Sequence, residues 1–178
     1  MNNLPKRKPL RLSKHDYSKN GVYFVTICVI DRHCILGKIH VGDDALGVPL
    51  SEQRHTVELS SIGKIVDEQL NDFSHFYDHI KIDRYIIMPN HIHMILVVSI
   101  DGTSRAPSPT TDNENQALTD KFVPQFVSTL KRFIHKKCGF TIFQRSYNDR
   151  IVRNYEEYNR ICKYIHENPR NWKHDKYH

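Results

Sequence analysis

Apolar residues recur along this chain with two different periods, and each change of period marks the edge of an element. "VYFVTICVID", Val22 to Asp31, is rich in β-branched and aromatic residues and predicts a strand, with "ILGKIHVG" as a shorter partner strand. In "ELSSIGKIVDEQLNDFSHFY" the residues Leu59, Ile62, Val66, Leu70 and Phe73 recur every three or four positions, with serines at the start, which predicts an amphipathic helix. "IKIDRYIIM" returns to strand, Pro89 and Asn90 make a turn, and "HIHMILVV" follows as the hairpin partner, so the sheet is expected to be antiparallel in part.

A second helix is expected to begin near Pro124 and to run through "PQFVSTLKRFIHKKC" to a C-cap at Gly139. Phe126, Val127, Leu130, Phe133 and Ile134 form its apolar face, and Lys131, Arg132, His135, Lys136 and Lys137 a basic edge. In the last segment Asn154 can cap a helix with Glu157 three residues on, and Asn168 followed by Pro169 ends it, so Tyr155 to Glu167 is helical. Tyr158, Ile161, Cys162 and Ile165 fall on its buried stripe. Tyr164 and Asn168 share one shoulder, and Tyr155 and Asn159 share the other.

His91 and His93 point to the same side of their strand, continued by Ile95 and Val97, while Ile92, Met94, Leu96 and Val98 fill the opposite side. Both faces are therefore covered, and the strand is central. The imidazoles read either as core histidines satisfied by hydrogen bonds or as a metal site.

Composition narrows the choice of partner. With 178 residues, 39% of them hydrophobic, residues 21–178 are expected to form a single domain. Twenty-six Lys and Arg against twenty Asp and Glu give a formal charge of +6, which favours a polyanionic partner, nucleic acid first. Much of that charge lies in residues 1–20, where Lys6, Arg7, Lys8 and Arg11 make a basic arm suited to a phosphate backbone. Residues 100 to 117 are polar and rich in Ser, Thr and Pro, and read as an exposed loop. Four cysteines without CxxC spacing suggest neither a disulfide framework nor a zinc knuckle. No apolar run approaches the ~18 to 20 residues of a membrane span, and the expectation is a soluble, cytoplasmic protein.

Two neutral imidazoles and an amide oxygen hold a divalent ion and leave coordination positions open for a phosphate oxygen. If Asn168 joined His91 and His93, Tyr164 would stand one turn back, placed to attack a phosphate and form a phosphotyrosine. Tyr147, Tyr155 and Tyr158 are rival tyrosines, read respectively as a loop residue able to stack on a base, a residue at the fraying helix start, and core. Arg145, Arg150 and Arg153 cluster nearby and, with Lys131 and Arg132, are candidate DNA-backbone contacts.

At these residues the chain resembles a known family. "MPNHIHMIL" is similar to the histidine-hydrophobic-histidine (HUH) motif of the one-tyrosine HUH single-strand transposases, and "YIHENPRNW" resembles the tyrosine helix of their REP-associated tyrosine transposase (RAYT) branch, among the IS200-like transposases. "DYSKNGVYFVTICV" and "FQRSYNDRIVRN" extend the likeness over nearly all the chain outside the 100–117 loop. The resemblance implies an α+β, ferredoxin-like (RRM-like) fold: a central antiparallel sheet, helices packed on it and a C-terminal tyrosine-bearing helix across it. It implies nicking and joining of single-stranded DNA near hairpins, such as REP palindromes, with Mg²⁺ or Mn²⁺, through a 5′-phosphotyrosine. By position, Tyr164 matches the nucleophile, His91 and His93 the motif histidines, and Asn168 the third ligand. The protein is expected to act as a monomer or homodimer and to be nucleoid-associated when bound to DNA. Two other functions remain open: a non-catalytic single-strand-binding module with aromatics such as Tyr23 and Phe24 stacking bases, and a metal-dependent nuclease using water.

Overall fold

In the computed structural model, which describes residues 21–41, 55–73, 77, 79–99 and 122–178, the first β-rich stretch forms strand β1, Gly21–Cys28. It stops short of Asp31 because Asp31 and Arg32 take left-handed backbone, φ 51° and 58°, which turns the chain out of the sheet. β2 (Gly37–Val41) does not partner β1 as its sequence suggested; it pairs antiparallel with β3 (His55–Leu59) in a separate two-stranded sheet. Leu59, assigned above to the helix, therefore ends a strand. Helix α1, Ser61–Phe73, follows at once, and the Ser60 hydroxyl accepts from Gly63 N at 3.0 Å, as an N-cap does.

The chain continues through β4 (Ile80–Met88), a turn at Pro89 and Asn90, β5 (His91–Val98), helix α2 (Phe122–Cys138), strand β6 (Asn148–Val152) and helix α3 (Tyr155–Glu167). The main sheet has the order β4-β5-β1-β6, and every neighbouring pair is antiparallel. A βαββαβ chain in that strand order is the ferredoxin-like α+β arrangement, with the β2-β3 ribbon inserted between β1 and α1.

β5 is central and both its faces are buried, as its unbroken apolar pattern required. Ile92, Met94, Leu96 and Val98, with Tyr23, Val25 and Ile27 of β1, pack under α1 and α2. There the Phe73 and Phe126 rings meet edge to face at 5.9 Å. Phe133, expected in this face, is 42% exposed and leans on Phe73 from outside. α2 begins at Phe122, so Pro124 falls in the first turn, where its missing N–H has no partner to lose. Gly139 ends the helix with φ 79°, the left-handed C-cap expected of it.

The other face of the sheet carries α3. Ile161 and Ile165 close onto Ile95, flanked by Phe24, Ile86, Val152, Tyr158 and Cys162. Full burial of an isoleucine side chain contributes roughly 1.5–3 kcal/mol, so this small cluster is enough to seat the helix. Its start is fixed by Asn154 Oδ1, which accepts from Glu157 N at 2.8 Å, while Glu157 Oε2 accepts from Arg153 N at 2.9 Å. Beyond α3, Asn171 N donates to Glu167 O, and a 3₁₀ turn at Trp172–His174 folds the last residues back over the sheet. No helix among the described residues is long and apolar enough to cross a membrane.

Candidate active site

β5 opens with His91, and its pairing with β1 sets Thr26 opposite His93 and Cys28 opposite His91. Both histidines are fully buried, on the face that α3 covers. Their Nε2 atoms lie 3.0 Å apart. Each Nδ1 has its own partner: Asn90 Oδ1 at 2.7 Å for His91, and Thr26 Oγ1 at 2.8 Å for His93.

Those partners determine which nitrogens are left over. Asn90 Nδ2 donates to Tyr177 O at 2.8 Å, so its oxygen must face His91 and accept. His91 therefore carries its proton on Nδ1 and presents a bare Nε2. The Thr26 hydroxyl can accept as well as donate, so His93 can take the same tautomer. Burial pushes His91 down to about 4, with Arg32 and Lys176 adding to the shift and Asp175 opposing it. Burial also holds His93 well below the ordinary histidine range, helped by His91. Two neutral imidazoles with their Nε2 atoms 3.0 Å apart form half of a metal site once His93, like His91, carries its proton on Nδ1.

α3 and the residues after it bring the rest. The Tyr164 hydroxyl sits 3.2 Å from His93 Nε2 and donates to Asp175 Oδ2 at 2.7 Å. Burial, then the hydrogen bond to Asp175 and its charge, push this phenol above the ordinary tyrosine value. Its side chain nonetheless reaches solvent, with 37% exposure. Asn168, one turn on and fully buried, donates Nδ2 to Asp175 Oδ2 at 2.6 Å, and its Oδ1 is buried with no hydrogen-bond partner among the described residues. Burial alone would raise Asp175; the bonds from Tyr177 N, Tyr164 and Asn168 outweigh it and hold the carboxyl below its usual range. Trp172 and Tyr177 wall the pair, their rings 6.0 and 5.1 Å from His91.

Ligand atoms of His91, His93 and Asp175 all lie within 4.8 Å of one another. An unpaired buried amide oxygen costs about 1–3 kcal/mol, and a cation would relieve it. Imidazole nitrogens with an amide oxygen fit a divalent ion, and the Asp175 carboxylate lies beside them.

Beside the cluster opens a cleft of about 680 Å³, lined by Phe24, Arg150, Arg160, Tyr164 and Lys176 among others. Of the basic candidates, Arg150 is here, its guanidinium 5.9 Å from the Phe24 ring and paired with Glu157 at 3.4 Å. Arg153 is exposed at the mouth of α3. Lys131, Arg132, Arg145 and Tyr147 line a different cleft, between α2 and the segment after it. Lys131 Nζ donates there to the carbonyls of Gln144, Arg145 and Ser146. Lys6, Arg7, Lys8 and Arg11, and the loop at 100–117, lie outside the described residues.

The rival tyrosines stand apart from the histidines. Tyr155 is 76% exposed at the start of α3, and Tyr158 donates to Asp83 at 2.6 Å. Tyr23 is fully buried under α1 and α2, and Phe24 lies against His93 at 5.1 Å, so Tyr23 has no face to offer a base, contrary to the expectation for a single-strand-binding sheet. The sequence reading missed Asp175, Asn90 and Thr26. Asn90 stood in view as half of the turn beside the histidines, whereas Asp175 lies in a polar segment with no repeat to mark it.

No protein-family model matches the chain. An uncharacterized protein of Haemophilus influenzae is 28% identical over 181 residues, covering 95% of this chain and 91% of its own length. A solved structure of a REP-associated tyrosine transposase bound to a REP hairpin superposes with a TM-score of 0.57 at 17% identity, over 92% of this chain and 74% of that one. The chain has the fold of a REP-associated tyrosine transposase.

Proposed function

We propose that this protein is a one-tyrosine HUH transposase of the REP-associated branch, which nicks and rejoins single-stranded DNA at hairpins. The observation that carries the reading is the Tyr164 hydroxyl 3.2 Å from His93 Nε2, beside a histidine pair whose Nε2 atoms converge at 3.0 Å. His91, His93 and Asn168 would hold the divalent cation, Mg²⁺ or Mn²⁺, with Asp175 alongside.

Tyr164 Oη attacks the scissile phosphorus, an O–P bond to tyrosine forms, and the bond from phosphorus to the 3′ oxygen breaks. The leaving 3′ oxygen takes up the proton that the phenol gives up. The 5′ phosphate remains on Tyr164, so the bond energy is kept and a 3′ hydroxyl can reverse the step. The bound cation would polarise a non-bridging phosphate oxygen and favour the phenolate that burial and Asp175 otherwise disfavour. Arg150, Arg160 and Lys176 line the cleft through which the strand would pass and offer charge to its backbone.

Peptide mapping tests the assignment. After incubation with hairpin DNA and Mn²⁺ and digestion by nuclease and protease, mass spectrometry is expected to find the nucleotide remnant on the Tyr164 peptide. A remnant on Tyr147 or Tyr155, or cutting without any remnant, contradicts it and favours a different tyrosine or a water nuclease.

A further inference from the structure

Two residues of the proposed site converge on a third that no spacing rule connects to them. Asp175 Oδ2 accepts from the Tyr164 hydroxyl at 2.7 Å and from Asn168 Nδ2 at 2.6 Å, and Asp175 Oδ1 accepts from Tyr177 N at 2.6 Å. The carboxylate is held in place by the 3₁₀ turn before it, where Asp175 N donates to Trp172 O at 3.1 Å.

The chemistry of those bonds is one-sided. A carboxylate has no hydrogen to give, so the amide that faces it must present Nδ2. Asn168 Oδ1 is then turned away from the carboxylate and buried with no partner among the described residues. With the amide turned over, its oxygen would meet the carboxylate and its nitrogen would sit where the oxygen now does, useless to a cation.

We infer that Asp175 is a positioning residue, which fixes the amide orientation that frees Asn168 Oδ1 for the metal and holds the Tyr164 hydroxyl beside it. The inference rests on the function proposed above and adds to it a residue outside the HUH pair and the tyrosine helix. Tyr164 and Asn168 are four apart on one helix face, so a single acceptor can engage both. Asp175 thereby ties the nucleophile and the third ligand to one rigid point.

The test uses the full chain and three readouts: Mn²⁺ affinity by titration calorimetry without DNA, the rate of covalent adduct formation on labelled hairpin DNA, and the melting temperature. Asp175→Asn keeps one accepting oxygen where the carboxylate has two, so it cannot serve both Tyr177 N and the pair Tyr164 and Asn168. It is expected to weaken Mn²⁺ binding and slow adduct formation by about 10–100-fold each, the range for orienting partners of metal ligands. The exchanged pair, Asn168→Asp with Asp175→Asn, restores a carboxylate facing an amide and is expected to recover most of the Mn²⁺ affinity. A purely structural role would not be rescued by that exchange. In an Asn168→Ala background Asp175→Asn is expected to cost little further Mn²⁺ affinity, whereas a carboxylate bound directly to the metal would still cost its full share and so overturn the inference. Asp175→Ala is the second broken pairing should Asp175→Asn fail to fold, with the same expected loss.

Mn²⁺ affinity within about twofold of wild type in Asp175→Asn overturns the inference, as does an exchanged pair that binds no better than the single variant. The two readings fail separately. Adduct formation by the wild type together with Asp175-independent Mn²⁺ binding overturns this inference alone. Asp175-dependent Mn²⁺ binding with no adduct from the wild type overturns the transposase reading instead.

Discussion

Asn90 holds His91 by its side-chain oxygen, 2.7 Å from Nδ1, while its nitrogen donates to the Tyr177 carbonyl at 2.8 Å. One buried amide thus joins the turn before β5 to the C-terminal segment and sets the tautomer of a proposed ligand. Asn90→Ala leaves the Tyr177 carbonyl and the His91 N–H without partners. The expected cost is about 1–3 kcal/mol of stability for each group left buried and unpaired, with Mn²⁺ affinity down about 10–100-fold. Urea denaturation and calorimetry measure the two effects, and an unchanged Mn²⁺ affinity would contradict the tautomer argument.

Thr26 plays the matching part for His93 at 2.8 Å across the β1-β5 pair. Thr26→Val keeps the shape and removes the oxygen. We expect weaker Mn²⁺ binding on the same scale and destabilisation of roughly 1–3 kcal/mol. Thr26→Ser, which keeps the hydroxyl, is expected to bind Mn²⁺ within a few-fold of wild type.

The pairing of faces on β5 was legible because period two sorted its residues without help from the rest of the chain: His91 and His93 to one side, Ile92 and Met94 to the other. The capped helix at Asn154 was legible for a similar reason, since Asn154 and Glu157 interact locally. β6 was not. Asn148, Asp149 and Arg150 are polar, and the strand exists because β1 offers it a free edge, with Phe24 facing Arg150. β2 was read as a strand but assigned the wrong partner, because HTVEL runs directly into the helix: its last two residues, Glu58 and Leu59, fall in the helical pattern, and the three before them are too few to mark a strand. Asp175 was invisible because its role arises only when the chain folds back after α3.

Phe126 is fully buried between the Phe73 and Tyr77 rings, at 5.9 and 5.5 Å, on the face of the sheet away from the histidines. Phe126→Ala is expected to cost about 3–5 kcal/mol in denaturant unfolding while Mn²⁺ affinity of the folded protein stays near wild type. A large loss of Mn²⁺ affinity in folded protein would mean that the two faces are coupled more tightly than their separate clusters indicate.

Burial of Lys131 sets a pH dependence. It pushes the ammonium down to about 8 from its ordinary 10.5, with Cys28 opposing the shift. The folded state thus disfavours the charged form, and the penalty is fully present below about pH 8. Between pH 8 and 10.5 the unfolded chain binds more protons, so this group makes stability rise with pH. Lys131→Met removes that contribution. The wild-type minus variant difference in unfolding free energy is expected to increase from pH 8 to pH 10, and a difference that is flat or falls would contradict it.

The proposed function stands or falls on a covalent bond between Tyr164 and DNA. Wild type and Tyr164→Phe are incubated with 5′- and 3′-labelled single-stranded hairpin oligonucleotides, taken from palindromes flanking the gene, together with Mn²⁺, and the products are run on a denaturing gel. Wild type is expected to give a protease-sensitive adduct that carries the label from the 3′ side of the nick, and Tyr164→Phe to bind without forming an adduct. Cutting by Tyr164→Phe at the wild-type rate would contradict it, and would make Tyr164 a structural residue beside a site that uses water.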